Sequence, residues 1–225
     1  MDGGPAELIV CSERLAVHIP RHLSYERAAC LPCAGVTAWN ALFGPRPLTT
    51  GQTVLTLGTG GVSTFAIQFA AAAGARVIST SSSDEKLVAA RNLGATDTVN
   101  YRAVPEWQQE VLRLTGGYGV DHVVEVGGGG TIDRSVASAA ISGQVHMIGA
   151  LSTGTLAPRA LVPWKTRRGI MVGSAADHTS MNQMIQHHTI HPVIGKAFSF
   201  KDAIEAYRYL ESASHFGKVV IHMDG

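Results

Sequence analysis

The 225-residue chain is short of net charge, of aromatic side chains and of cysteine. Its 18 Lys and Arg stand against 17 Asp and Glu, a formal net charge of +1. That balance excludes the basic stripe of a nucleic-acid binder and the polybasic face of a membrane-surface protein. Aromatic residues make up 6% of the chain. Trp39, Trp107 and Trp164 are scattered, with no stacking pattern for nucleic acid, and read as packing residues. The three cysteines, Cys11, Cys30 and Cys33, form an odd set near the start, which argues against a disulfide framework. Cys30 and Cys33 have Cys-x-x-Cys spacing, but the second pair of a structural zinc site is missing, so two inert thiols are the simpler reading. Met1 to Pro5 has neither the basic stretch nor the apolar core of a secretory signal. The most apolar stretch, 62–75, is broken by Gln68 and falls short of the roughly 18 residues of a membrane span. The expectation is a cytoplasmic protein with neither a nucleic-acid nor a membrane partner.

What is present is a core-forming composition, 45% hydrophobic with 25 glycines, and a repeated unit of β-branched run, glycine turn and amphipathic stretch. Strands are expected over 53–57, 76–80, 96–100, 121–126 and 144–148, with a sixth from Gly169 to Ser174. Helices are expected over 61–73, 84–92, 105–114 and 131–140. Nearly unbroken apolar strands alternating with helices describe an α/β fold, a doubly wound parallel sheet covered on both faces. The flanks read differently. Short strand-like pieces at 6–10 and 15–19, and a strand, helix 201–211 and strand 218–222 near the end, suggest parts of a second, mainly β domain. The expected division is 1–34, 35–191 and 192–225, with the middle segment as the doubly wound domain.

Directly after the first strand stands Gly58-Thr59-Gly60-Gly61-Val62-Ser63. Gly58 permits a tight turn, Gly60 lets backbone N–H groups approach a pyrophosphate, and the helix beyond adds its positive dipole end. Ser63 takes the place of the third glycine of the dinucleotide fingerprint. An NAD site carries an acidic residue about 20 residues after the first glycine, on the ribose hydroxyls. Here that place is taken by Thr80-Ser81-Ser82-Ser83, followed by Lys86. Hydroxyls and a cation without a carboxylate suit a 2′-phosphate, so NADP is favoured over NAD. The competing reading makes Ser82 and Glu85 a capping box that serves only the helix start.

These runs, together with Leu31 to Trp39, Asn100-Tyr101-Arg102 and Phe216-Gly217-Lys218-Val219-Val220, resemble the medium-chain dehydrogenase/reductases, and most nearly their zinc-independent quinone oxidoreductase-like branch. The resemblance implies a Rossmann domain that binds NADP(H) and a cleft formed with a β-rich GroES-like domain, of which the flanks would be remnants. It implies that Lys86 and Tyr101 hold the adenosine phosphate, beside the Ser81 and Ser82 hydroxyls read above as phosphate donors. Gly58, Thr59, Gly60, Gly61 and Val62 would form the pyrophosphate turn, and Thr37 would lie near the nicotinamide. Gly127 and Gly128, with Gly149, Ala150 and Leu151, would close over the ribose and nicotinamide. Cys33 matches the third catalytic zinc ligand of the zinc-dependent branch. Alone it cannot make that site, and no zinc is expected.

The implied activity is metal-free hydride transfer between the nicotinamide and a carbonyl, enone or quinone substrate, with no catalytic residue named. A full family member carries a further stretch before the point where this chain starts. The alternatives are therefore a catalytically silent cofactor-binding module and a fragment of a zinc-dependent alcohol dehydrogenase. The family also implies a homodimer through the edge strand expected at Gly169 to Ser174, where an apolar edge would invite pairing.

Three features have other readings. His187, His188 and His191 suit a solvated helix end better than a metal site. Arg167 and Arg168 read as a solvated turn. Glu125, inside an apolar strand, is costly to bury without partners, and is expected to be hydrogen-bonded near the strand's carboxyl end, orienting a cofactor-loop group.

Overall fold

In the computed structural model, residues 6, 8–149, 152 and 164–223 are described. A short helix, α1 (Tyr25–Ala28), and a wide turn, Leu31–Gly35, lead into α2 (Val36–Phe43). Then follow β1 (Thr53–Leu57), α3 (Gly61–Ala72), β2 (Arg76–Ser81), α4 (Asp84–Asn92), β3 (Asp97–Asn100) and α5 (Trp107–Leu114). The second half adds β4 (Val120–Glu125), α6 (Ile132–Ser138), β5 (Ala139–Met147), β6 (Thr166–Gly169) and α7 (Ala175–His187). Strands β1 to β6 form one parallel sheet in the order β3-β2-β1-β4-β5-β6. The chain reverses direction across the sheet between β1 and β4, and the crevice outside the carboxyl ends of those strands is where such sheets take ligands. The expected α/β, doubly wound fold is the one observed.

Strand alternation explains the two-sided cover. Val54, Val77 and Val124 pack with Phe65, Phe69 and Met181 of α3 and α7, while their neighbours Leu55, Ile78 and Val123 pack with Trp107 and Val136 of α5 and α6. Each strand therefore fills two cores at a period of two. The first of these faces also carries His122 and His146, each 1% exposed. Nδ1 of His122 lies 3.0 Å from Nε2 of His146, and the two rings stack. Burial pushes the pKa of His122 down to about 4 and that of His146 to about 3.

A separate two-stranded parallel sheet joins β7 (Ile194–Ser199) to β8 (Lys218–His222), with α8 (Ala203–Glu211) between them in sequence. It is fastened beside the glycine turn, since the N–H of Gly217 donates to the carbonyl of Thr59 at 2.9 Å.

Three expectations need correction. The sixth strand is Thr166–Gly169, paired with β5 from Gln144 to Met147, and not 169–174. Past Gly169 the chain leaves the sheet: Ile170 is buried, Val172 packs on the core with φ +53°, and its carbonyl accepts from Asn40 Nδ2. Irregular backbone thus covers Ile170 and Val172, while Met171 between them is exposed. Arg167 and Arg168 therefore lie in an edge strand rather than a solvated turn, with the Arg168 guanidinium donating to Oδ1 and to the carbonyl oxygen of Asn40. The expected strands at 6–10 and 15–19 are also absent among the described residues. Glu13–Leu15 is a single 3-10 turn, and Leu8, Ile9 and Val10 are exposed and pair with no strand among the described residues.

Candidate functional site

Gly58 ends β1 with φ +67°, a left-handed conformation that glycine adopts without strain. Its N–H points to Thr80 Oγ1 at 3.4 Å, so the end of β2 helps fix the turn. Helix α3 opens at Gly60 with no side chain capping it, and this leaves first-turn N–H groups to be satisfied from outside the helix. A Cβ placed on Gly58 or Gly60 would meet nothing within 4 Å, whereas one on Gly61 would run into the Lys218 side chain. The first two glycines thus face open space and the third makes room for β8. Ser63 is 1% exposed and donates to the carbonyl of Leu57 at 2.7 Å, which closes the strand-to-helix corner where the fingerprint has its third glycine.

A cleft of about 530 Å³ lies over this turn. The structure brings to it Gly58, Thr59, Gly60, Gly61 and Val62 from the turn, and Ser81, Ser82, Lys86 and Tyr101 from the ends of β2 and β3 and the start of α4. The helix start is capped by Ser83, whose Oγ accepts from the Lys86 N–H at 3.3 Å. The expected cap at Ser82 is corrected accordingly, and Ser82 is left to line the cleft. Asp84 is the nearest acid in sequence, and its Oδ1 is taken by Asn100 Nδ2 at 2.8 Å.

An adjoining cleft of about 490 Å³ shares Leu57, Gly58, Tyr101 and Val126 and extends to Gly127, Thr131 and Trp107. Its floor is organised by Glu125, which is 1% exposed. Oε1 of Glu125 accepts from the N–H of Gly127 at 2.6 Å, the N–H of Gly128 at 3.0 Å and Thr131 Oγ1 at 2.7 Å. Oε2 accepts from Ser135 Oγ. The expected hydrogen-bonded carboxylate at the strand's carboxyl end is present, and it holds the Gly127-Gly128 loop. Gly149 packs so closely on the Val126 backbone that a Cβ would overlap it.

Thr37 does not line either cleft. It is buried on α2, where its Oγ1 donates to the Cys33 carbonyl at 2.6 Å. Ala150 and Leu151 lie outside the described residues. Sequence reasoning missed Arg102, Ser212, Ala213 and His215, all of which line the first cleft. The last three arrive from beyond α8, and no local pattern signals that approach.

A larger concavity, about 1090 Å³, runs between residues 16–21 and α7. It contains neither a glycine turn nor the carboxyl end of a sheet strand, so the smaller clefts are the better candidates. Among the described residues no three His, Cys, Asp or Glu side chains converge to hold a metal ion. Cys33 is exposed, Cys30 is buried, and the thiols are free. Helix α7 ends at His187, with Ile190 Nα–H bonded back to the Ile185 carbonyl.

The zinc-binding dehydrogenase family matches residues 61–188, more than half of the chain. A zinc-type alcohol dehydrogenase-like protein of Schizosaccharomyces pombe is 46% identical over 232 residues, covering 99% of this chain and 67% of its own length. The chain belongs to the medium-chain dehydrogenase/reductase superfamily. Among solved structures, an NAD-dependent alcohol dehydrogenase is 34% identical with TM-score 0.86, matched over 92% of this chain and 62% of its own. The 2-octenoyl-CoA carboxylase reductase CinF, solved with NADP and 2-octenoyl-CoA, is 26% identical with TM-score 0.83, over 91% of this chain and 51% of its own. Both solved relatives are named as oxidoreductases, one NAD-dependent and one solved with NADP. The chain spans between about half and two thirds of the length of these three proteins. No helix among the described residues is long and apolar enough to cross a membrane.

Proposed function

We propose that this chain binds NADP(H) across the two adjoining clefts and forms the cofactor side of a zinc-independent oxidoreductase acting on a carbonyl, enone or quinone. The observation that carries this reading is the cradle over Gly58 and Gly60. It is open where a Cβ would intrude, has uncapped helix N–H groups beneath it, and is flanked by Ser81, Ser82, Lys86 and Tyr101. Those donors suit a dinucleotide's phosphates, and the hydroxyls and cation in place of an acid at the end of β2 suit a 2′-phosphate.

When bound, the cofactor supplies the hydride. The chain's own contribution is to bind and orient: the turn and the start of α3 receive the pyrophosphate, and Lys86 and Tyr101 receive the adenosine phosphate. The Gly127-Gly128 loop, set by Glu125, borders the nicotinamide side, with Gly149 against it. Thr37, Ala150 and Leu151 belong to the nicotinamide end on family resemblance, with 35–191 as the cofactor domain and the flanks as parts of a GroES-like domain. We further infer a cytoplasmic protein and a homodimer through the open edge of β6. The arginines there weaken the apolar argument for pairing, so the dimer rests on resemblance alone and is checked by light scattering.

Titration of the purified chain with NADPH and NADH, followed by its tryptophan fluorescence, tests the binding reading. Saturable, NADPH-preferring quenching is expected, and absence of quenching by either overturns it. NADPH oxidation with a panel of quinones and enones then separates an active chain from a silent binding module.

A further inference from the structure

The C-terminal segment reaches the first cleft through the loop after α8, and with it comes an imidazole. His215 lines the cleft together with Ser82, Lys86 and Arg102. Its Nδ1 is enclosed without a hydrogen-bond partner, and no bond is formed at Nε2, which remains the accessible nitrogen. The groups facing it are Lys86 from α4, Lys218 from β8 and the Tyr209 ring of α8, whose centroid lies 6.4 Å away. Burial, and then the Lys86 and Lys218 charges, hold the imidazole below its ordinary pKa. The loop is tied to the candidate phosphate end of the cleft, because Lys86 Nζ donates to the Ala213 carbonyl at 3.1 Å.

We propose that His215 is a specificity-determining residue, donating from Nε2 to the 2′-phosphate of NADPH beside Lys86, an assignment that rests on the dinucleotide reading above. The 2′-phosphate is favoured over the pyrophosphate because the loop is fastened to Lys86, whereas the side chain packed over the pyrophosphate turn at Gly61 is Lys218. The electrostatics give the assignment a pH signature. An imidazole under the influence of two ammonium groups resists protonation, and a phosphate dianion offsets both charges. Binding NADPH therefore raises the affinity of His215 for a proton, and NADPH affinity falls as pH rises through the bound-state pKa. NADH, with no 2′-phosphate, lacks that dependence. The phosphate's own second ionisation, near pH 6, acts in the opposite direction. Comparison from pH 6.5 to 8.5 avoids most of it, and a non-titrating variant removes the rest.

The experiment is to measure Kd for NADPH and NADH at pH 6.5 and 8.5 for the wild type, His215→Ala and His215→Gln, with circular dichroism and thermal melts to check folding. The wild type should favour NADPH, and its advantage over NADH should shrink several-fold at the higher pH. His215→Ala should weaken NADPH roughly tenfold at pH 6.5, as expected for loss of a hydrogen bond to a charged group, with NADH nearly unchanged. His215→Gln, which keeps a donor that does not titrate, should recover part of the affinity and flatten the pH dependence. If the alanine variant fails to fold, the glutamine pH profile decides. Unchanged NADPH binding in the variants overturns the assignment alone, as does an equal loss for both cofactors, which would put His215 at the pyrophosphate. A wild type that binds neither cofactor overturns the dinucleotide reading and this assignment with it.

Discussion

Replacing Glu125 by alanine should cost the fold about 4 kcal/mol, while replacing it by glutamine should cost only about 1–2 kcal/mol. The difference comes from what each donor can do afterwards. Thr131 Oγ1 already lies 3.2 Å from the Gly128 carbonyl and can turn to it, and the Ser135 hydroxyl can rotate. The N–H groups of Gly127 and Gly128 cannot, because Ser152 pins the Gly127 carbonyl through both its N–H and its hydroxyl. Each buried donor left unmatched costs about 1–3 kcal/mol, so two of them together with the cavity give the alanine figure. Glutamine can keep its oxygen toward the three donors that meet Oε1 and offer its amide to Ser135 Oγ, which can accept. Only the charge assistance of those bonds is then lost. Denaturant unfolding of the wild type and both variants measures these costs, provided the m-value stays constant. An alanine variant destabilised by less than about 1 kcal/mol, or a glutamine variant as unstable as the alanine one, refutes the reasoning, because each donor's fate was assigned from the acceptor geometry.

Gly60→Ala should leave the melting temperature nearly unchanged, since its added methyl meets no protein atom, yet weaken NADPH by at least about tenfold by filling the cradle; unaltered binding would contradict the cradle. Gly58→Ala should weaken NADPH similarly and also cost about 1–2 kcal/mol of stability, because φ at Gly58 is +67°; a melt matching that of Gly60→Ala would argue against backbone strain. Lys86→Ala should weaken NADPH by about 1.5–3 kcal/mol while sparing NADH, and equal losses in the two titrations would count against Lys86 as a phosphate ligand. The buried histidines set an acid limit. Their folded-state values of about 4 and about 3 lie below the ordinary 6.5, so the unfolded chain takes up protons first as pH falls. The stability they preserve is complete above pH 6.5 and should decline by up to about 1.4 kcal/mol per pH unit for each histidine as pH drops through that window toward the folded values. Denaturation at pH 7.5 and 4.5 should show a smaller loss in His122→Asn/His146→Gln than in the wild type, and an identical loss would sink the claim.

The sequence alone determined the doubly wound sheet, because apolar strands covered on both faces and alternating with helices leave few other arrangements. The strand at 53–57 and the helix at 84–92 were legible to the residue. So was the glycine turn, whose function is backbone geometry written into adjacent positions, and so was the need of Glu125 for partners, since a carboxylate in a buried strand demands them. Tertiary structure decided what depends on distant neighbours. The run Ile170 to Val172 looked like a strand by composition, but strand identity lies in the ladder, and β5 pairs with Thr166–Gly169 while Ile170 is buried, Val172 packs on the core and Met171 stays exposed. Arg168 is tolerated at that edge because Asn40, 128 residues earlier, receives its guanidinium. His215 comes to Lys86 only through the docking of β8 beside the glycine turn, where Gly217 bonds Thr59. Contacts of that separation depend on how whole elements pack, and a local pattern of residues carries no record of them.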